Sequence, residues 1–150
     1  MSSLARPLYT QGYQGQTVGA FAGHLLANGL TSVVDVRANP VSRKPGFSKK
    51  ALSSFLARHG IRYMHLPALG APRELRIFLR ATGDFGRYAE RYAAEVLHVQ
   101  EQTLRLVTDL VRTESVCLVC FESDPNLCHR SLVADALAKR TPFPIELHHL

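Results

Sequence analysis

Glu122, Cys128, His129 and Arg130 place a carboxylate, a thiol, an imidazole and a guanidinium within one short stretch of the chain. Ahead of them, Val116 to Phe121 is apolar and rich in β-branched and aromatic residues, and it stops at turn formers, the pattern of a buried strand. Asp124-Pro125-Asn126 is a turn, because proline presets φ and Asp and Asn bond locally to the backbone. From Ser131, the apolar residues Leu132, Val133, Ala136 and Leu137 recur at helical spacing. The reactive side chains therefore cluster where a strand hands over to a helix. A helix start offers unpaired N–H groups and the positive end of the dipole, which favours a bound anion. A thiol there ionises more readily, and His129 and Arg130 push the same way. The competing reading makes Cys128 a small buried hydrophobe, His129 a helix cap and Arg130 a surface charge.

The elements that must position these groups alternate. Leu8 to Tyr13 reads as a first strand, and Thr17 as the cap of a helix carrying Val18, Phe21, Leu25 and Leu26, ended by Asn28-Gly29. Thr31 to Val36 is a second strand with Asp35 inside it, costly to bury unless it is paired or the strand has reached an exposed end. A basic loop follows from Arg37 to Phe47, broken by Pro40, Pro45 and Gly46, and Ser48 looks like the cap of the next helix. Ile61 to Leu66 is a third strand. Arg73 to Tyr92 contains a helical piece broken at Gly83-Asp84, and Phe85 to Arg112 is helical, as one helix or two. Ile145 to His148 is a short last strand.

This alternation predicts a single α/β domain over residues 1–150, three-layered, with a mostly parallel sheet of about five strands and helices on both faces. Ligands of such sheets sit beyond the carboxyl ends of the strands. Asp35, Arg37, His65 and Glu122 all lie at strand ends, so one site built from distant segments is expected.

The chain has 150 residues, one domain's worth, and a net charge of +6, which favours an anionic partner such as nucleic acid, a nucleotide or a phosphorylated metabolite. Its three cysteines make no disulfide framework and suit a reducing cytoplasm. Met1 to Tyr9 lacks the apolar core of a signal peptide, and no apolar run is long enough to span a bilayer, so a cytoplasmic protein without a membrane partner is expected.

Three stretches resemble a known family. Asp35-Val36-Arg37-Ala38-Asn39-Pro40 with Ser42 and Pro45-Gly46-Phe47-Ser48, Tyr63 to Gly70, and Cys120 to Ser131 resemble signatures of the domain-of-unknown-function 488 family. Tyr9 to Tyr13 resembles the family's opening, with Gln11 where an apolar residue is expected. The resemblance covers nearly the whole chain, with Arg73 to Tyr88 its variable part. It implies a compact α/β fold and a mainly microbial, intracellular protein. It brings no reaction with it, but it adds weight to Asp35, Arg37, Glu122, Cys128, His129 and Arg130.

Four chemistries follow. Cys128 as a nucleophile needs a base. Adjacent His129 would point about 100° away on a helix, which makes His65 the better geometric partner. Arg130 follows Cys128 too soon for the N–H loop that Cys phosphatases and sulfurtransferases use. In an anion site, Arg37, Arg130, Arg43 and Lys44 would clamp a phosphate or carboxylate, with Ser42 beside them and Asp35 or Glu122 as acid or base; the alternative is a structural ion pair. Metal binding is not expected, because Cys117 and Cys120 point to opposite faces of a strand, and a site from Cys120, Cys128 and His129 lacks a second pair at the usual spacing. Nor is any cofactor expected. In a non-catalytic nucleic-acid module, Arg43, Lys44, Lys49 and Lys50 would meet phosphates while Phe47 stacked on a base. The expectation is an enzyme acting on a phosphate- or nucleotide-bearing substrate, with a nucleic-acid or nucleotide binding module as the alternative.

Overall fold

The computed structural model describes residues 4–150. In chain order the elements are β1 (Arg6–Gly12), α1 (Val18–Ala27), β2 (Ser32–Asp35), α2 (Lys49–Arg58), β3 (Arg62–His65), α3 (Arg73–Thr82), α4 (Phe85–Glu95), α5 (Glu101–Thr113), β4 (Val116–Cys120), α6 (His129–Ala138) and β5 (Ile145–His149). Short 3-10 turns at Pro67–Leu69, Leu97–Val99 and Pro125–Leu127 join some of them.

Local chemistry explains most boundaries. The Thr17 hydroxyl accepts from the Ala20 N–H at 3.1 Å and caps α1. Gly83, at φ 67°, takes the left-handed conformation that ends α3, and Asp84 then caps α4 by accepting from the Arg87 N–H at 3.1 Å. The helical stretch after Phe85 is two helices, parted at the Leu97–Val99 turn. Ser48 stands at the start of α2 but does not cap it. Its hydroxyl donates to the Ser42 carbonyl and accepts from the Ser42 N–H, both at 3.1 Å, which folds the basic loop back on itself. α6 opens at His129, two residues ahead of the apolar periodicity.

The five strands form one parallel sheet in the order β3-β2-β4-β1-β5. Alternate residues face opposite layers. Val33, Cys117 and Val119 pack with Phe21 and Leu25 of α1 and Leu52 and Leu56 of α2. Val34, Leu118 and Cys120 pack with Tyr92, Leu104, Val107, Val133 and Leu137 from α4, α5 and α6. Cys117 and Cys120 thus lie in separate cores, so they cannot share a metal ion.

The chain lays β2 and β3 to one side of β1, then returns through β4 into the gap between β1 and β2. The carboxyl ends of β1, β4 and β2 therefore adjoin at the place where the winding reverses, which is where open α/β sheets bind ligands. Gly12 is required there: a Cβ on it would overlap the Glu122 carbonyl, which crosses over the end of β1. Gly70 is tied to the same edge, because its Cβ would overlap the backbone of Ala38. Among the described residues no helix is long and apolar enough to cross a membrane.

Candidate functional site

Asp35 ends β2 with none of its surface exposed. Oδ1 accepts from Arg37 Nε at 2.8 Å and from the Arg37 backbone N–H at 3.1 Å. Oδ2 accepts from Arg37 Nη2 at 2.7 Å and from the Tyr63 hydroxyl. Arg37 spends Nη1 on the Tyr13 hydroxyl at 3.1 Å and the Phe47 carbonyl at 2.7 Å. Burial, and next the Asp35 carboxylate, push the Tyr63 phenol upward, so it stays a donor. The expected acid and clamp at this strand end are thus a sealed, fully bonded ion pair. Asp35 does not reach the cavity described below, and Arg37 shows only an edge to it. His65, level with Asp35 in the sheet, donates from Nε2 to the Arg37 carbonyl at 2.8 Å and lines no part of the cavity.

Arg130 is likewise not a surface charge. It is wholly buried on the first turn of α6, and it reaches back under the loop that follows β4. Nη1 donates to the Glu122 carbonyl and to Cys120 Sγ at 3.0 Å, and Nη2 donates to the Ser123 carbonyl at 3.1 Å. It forms no salt bridge among the described residues. This guanidinium cannot clamp a ligand from where it stands.

Cys120 at the end of β4 and Cys128 before α6 meet sulfur to sulfur as a disulfide, a pairing not expected from three cysteines without a disulfide framework. His129 lies beside Cys128, contrary to the expectation drawn from helical geometry. Cys128 has extended backbone, φ −138° and ψ 142°, so the helical angle between neighbours does not apply. His129 donates from Nε2 to the Val36 carbonyl at 2.6 Å, which leaves Nδ1 unprotonated and 3.7 Å from Cys128 Sγ. Burial first, then Arg130 and Arg76, lower the His129 pKa to about 4, so the ring is neutral. The ligand atoms of Cys120, Glu122 and Cys128 lie within 4.8 Å of one another, a set able to hold a metal ion.

A cavity of about 670 Å³ opens over this edge. Glu122, Cys120, Cys128 and His129 form part of its lining, with Tyr13 and Tyr88 beside them. Glu122 is the only carboxylate lining it among the described residues. Val41, Leu79, Phe121 and Leu127 give it an apolar side. Its positive charge comes from Arg43 on the basic loop and from Arg76 and Arg80, one turn apart on α3. All three are exposed and, among the described residues, form no salt bridge. Arg76 and Arg80 fall in the stretch that the family resemblance leaves variable. The signal available in the sequence was their spacing: two like charges at i and i+4, with no acid placed to separate them.

The rest of the basic loop is divided. Ser42 lines the cavity, and its hydroxyl also accepts from the Lys44 N–H at 3.1 Å. Lys44 lies outside the lining, with Nζ 6.0 Å from the centre of the Phe47 ring. Phe47 has no exposed surface and stacks on Tyr13 with ring centres 4.3 Å apart. The aromatic face expected for a nucleic-acid base is therefore part of the core.

No curated protein and no solved structure matches this sequence. The model of the family described as Domain of unknown function DUF488 matches residues 17–137, from the cap of α1 into α6. The matched span carries Asp35, Arg37, both paired cysteines and the whole rim of arginines, and the chain belongs to that family.

Proposed function

We propose that this protein is a cytoplasmic enzyme acting on a phosphate- or nucleotide-bearing substrate held in the cavity at the carboxyl edge of the sheet. The observation that carries the reading is the convergence of Arg43, Arg76 and Arg80, without carboxylate partners among the described residues, on a cavity with one carboxylate among the described residues of its lining. Cations left unpaired beside a concave surface favour an anion. The apolar side formed by Val41, Phe121 and Leu127 suits the base of a nucleotide whose phosphates meet the arginines.

In this reading Glu122 is the acid/base group, since Asp35 is committed to Arg37 and Tyr63. Glu122 takes the proton of an attacking water or substrate hydroxyl, while the arginines offset charge gathering on the phosphoryl oxygens. The sealed pair Asp35–Arg37 and buried Arg130 position the loops that carry these groups.

The test is turnover across a panel of phosphate esters and nucleotides, read by phosphate release and by mass spectrometry of products. Glu122→Gln is expected to lower the rate by roughly 10²–10⁴-fold with binding retained. Binding of single-stranded RNA or DNA with a steep salt dependence, and no turnover of any small phosphate ester, would select the non-catalytic alternative.

A further inference from the structure

We propose that Cys120, Glu122 and Cys128, with the cysteines reduced, hold a zinc ion in the wall of the cavity. The proposal does not rest on the phosphate-bearing substrate, for the arginines at the rim take no part in it.

The geometry of the three residues carries it. Their ligand atoms lie within 4.8 Å of one another, and all three residues line the cavity. Cys120 Sγ stands 3.7 Å from Glu122 Oε2. A sulfur about 2.3 Å and an oxygen about 2.1 Å from one tetrahedral zinc ion are about 3.6 Å apart, and two such sulfurs are about 3.8 Å apart. The Cα atoms of Cys120 and Cys128 are 7.5 Å apart, beyond the roughly 4.4–6.8 Å that a disulfide usually spans. The end of β4 and the start of α6 thus leave room for the sulfurs to stand apart with an ion between them. Both cysteines belong to the apolar core under the cavity, a dry shell that favours metal–thiolate bonds.

The surroundings balance the charge of such a centre. Arg130 is a wholly buried cation that forms no salt bridge among the described residues. It donates to two neutral carbonyls and, from Nη1, to Cys120 Sγ at 3.0 Å. Two thiolates, one carboxylate and a divalent ion sum to a single negative charge, which is the counter-ion that the guanidinium lacks. An N–H bond to a ligating sulfur also orients that ligand.

The donor set selects the ion. Two sulfurs favour zinc over magnesium or calcium, which take oxygen. Three protein ligands leave the fourth position for a water or an oxygen of whatever fills the cavity. Glu122 ligates through one carboxylate oxygen and keeps the other for a proton. Binding sends the two thiol protons to solvent and involves no oxidation. Cys117, buried in the opposite layer, takes no part.

The test strips the whole protein with chelator under a phosphine reductant, then titrates zinc alone against a chromophoric chelator. One zinc per chain is expected, with Cys120 and Cys128 protected from alkylation together when it is bound. Cobalt in place of zinc is expected to show a thiolate charge-transfer band. Cys128→Ser should abolish that stoichiometric binding, and Glu122→Gln should weaken it at least about tenfold. Three results overturn the proposal: a reduced parent that takes up no stoichiometric zinc, zinc bound equally well by the parent and by Glu122→Gln, or a sulfur–sulfur bond that excess reductant leaves intact in the folded chain. If Cys128→Ser fails to fold, the titration of the parent and of Glu122→Gln still decides among these results. None of these readouts involves a phosphate ester, so they stand or fall apart from the reading of the substrate.

Discussion

Asp35 grips Arg37 with both carboxylate oxygens, Nε to Oδ1 at 2.8 Å and Nη2 to Oδ2 at 2.7 Å, and only an edge of Arg37 shows to the cavity. Every acceptor site of the acid that the geometry shows is taken. The pair fixes the exit from β2 and, through the Phe47 carbonyl, the far end of the basic loop. Its chemistry is used to hold the site rather than to work in it.

Asp35→Asn strips the charge and leaves Arg37 buried without a counter-ion. Breaking a buried pair from one side costs about 3–5 kcal/mol. A urea denaturation midpoint should fall accordingly. Whatever fraction stays folded should keep its affinity for a ligand in the cavity, whereas a catalytic Asp35 would lose activity at unchanged stability.

His129 makes stability depend on pH. Its folded-state pKa is about 4, while an unfolded histidine titrates near 6.5. Between those values the unfolded chain binds the extra proton, so stability is fully present above pH 6.5 and drains as pH falls toward 4. The loss from this group is about 3 kcal/mol across that window. Denaturant melts at several pH values should show it, and His129→Gln should flatten the slope between pH 6.5 and 4. A slope unchanged by the substitution would mean that the imidazole is not held neutral.

Arg130→Met keeps an unbranched apolar stem, which ends short of the guanidinium, and removes its donors. The carbonyls of Glu122 and Ser123 then lose their partner, at about 2–3 kcal/mol in all. The same change removes the cation that lies 3.0 Å from Cys120 Sγ, so reduced Cys120 should be alkylated more slowly. Alkylation of the reduced protein against pH reads the second effect separately from the first.

The architecture was legible because the strands alternate with capped helices, and a parallel sheet follows from that alternation. The site was legible only by segment. Asp35, Glu122, Cys128 and Arg130 do converge on one edge, as strand ends must. Their exposure was not legible, because charge in a sequence does not say which guanidiniums the backbone carbonyls will absorb. Arg130 is consumed in that way, and Arg37 by the Asp35 carboxylate, the Tyr13 hydroxyl and the Phe47 carbonyl. Arg76 and Arg80 remain open, and nothing local to α3 reveals that the helix faces the ends of β1 and β4. The nearness of His129 to Cys128 depends on one extended residue at a helix start, which periodicity cannot resolve.

Gly12→Ala tests how the loop after β4 is seated. The added methyl meets the Glu122 carbonyl, which is also an acceptor for Arg130, so neither group yields without cost. Overpacking of this kind costs about 3 kcal/mol. Proteolysis should cut the loop between Phe121 and Leu127 sooner in the variant than in the parent. Equal cutting rates and equal stability would mean that the loop does not lie over β1.

The account rests most heavily on the cavity being an anion site run by Arg43, Arg76 and Arg80. Calorimetric titration of ATP into the parent chain and into the Arg76→Ala/Arg80→Ala double variant tests this directly, since both side chains are exposed and their loss should leave the unfolding midpoint unchanged. The account predicts one saturable site in the parent, weakened at least about tenfold for each arginine removed. No saturable binding to the parent, or equal affinity in the double variant, would contradict it.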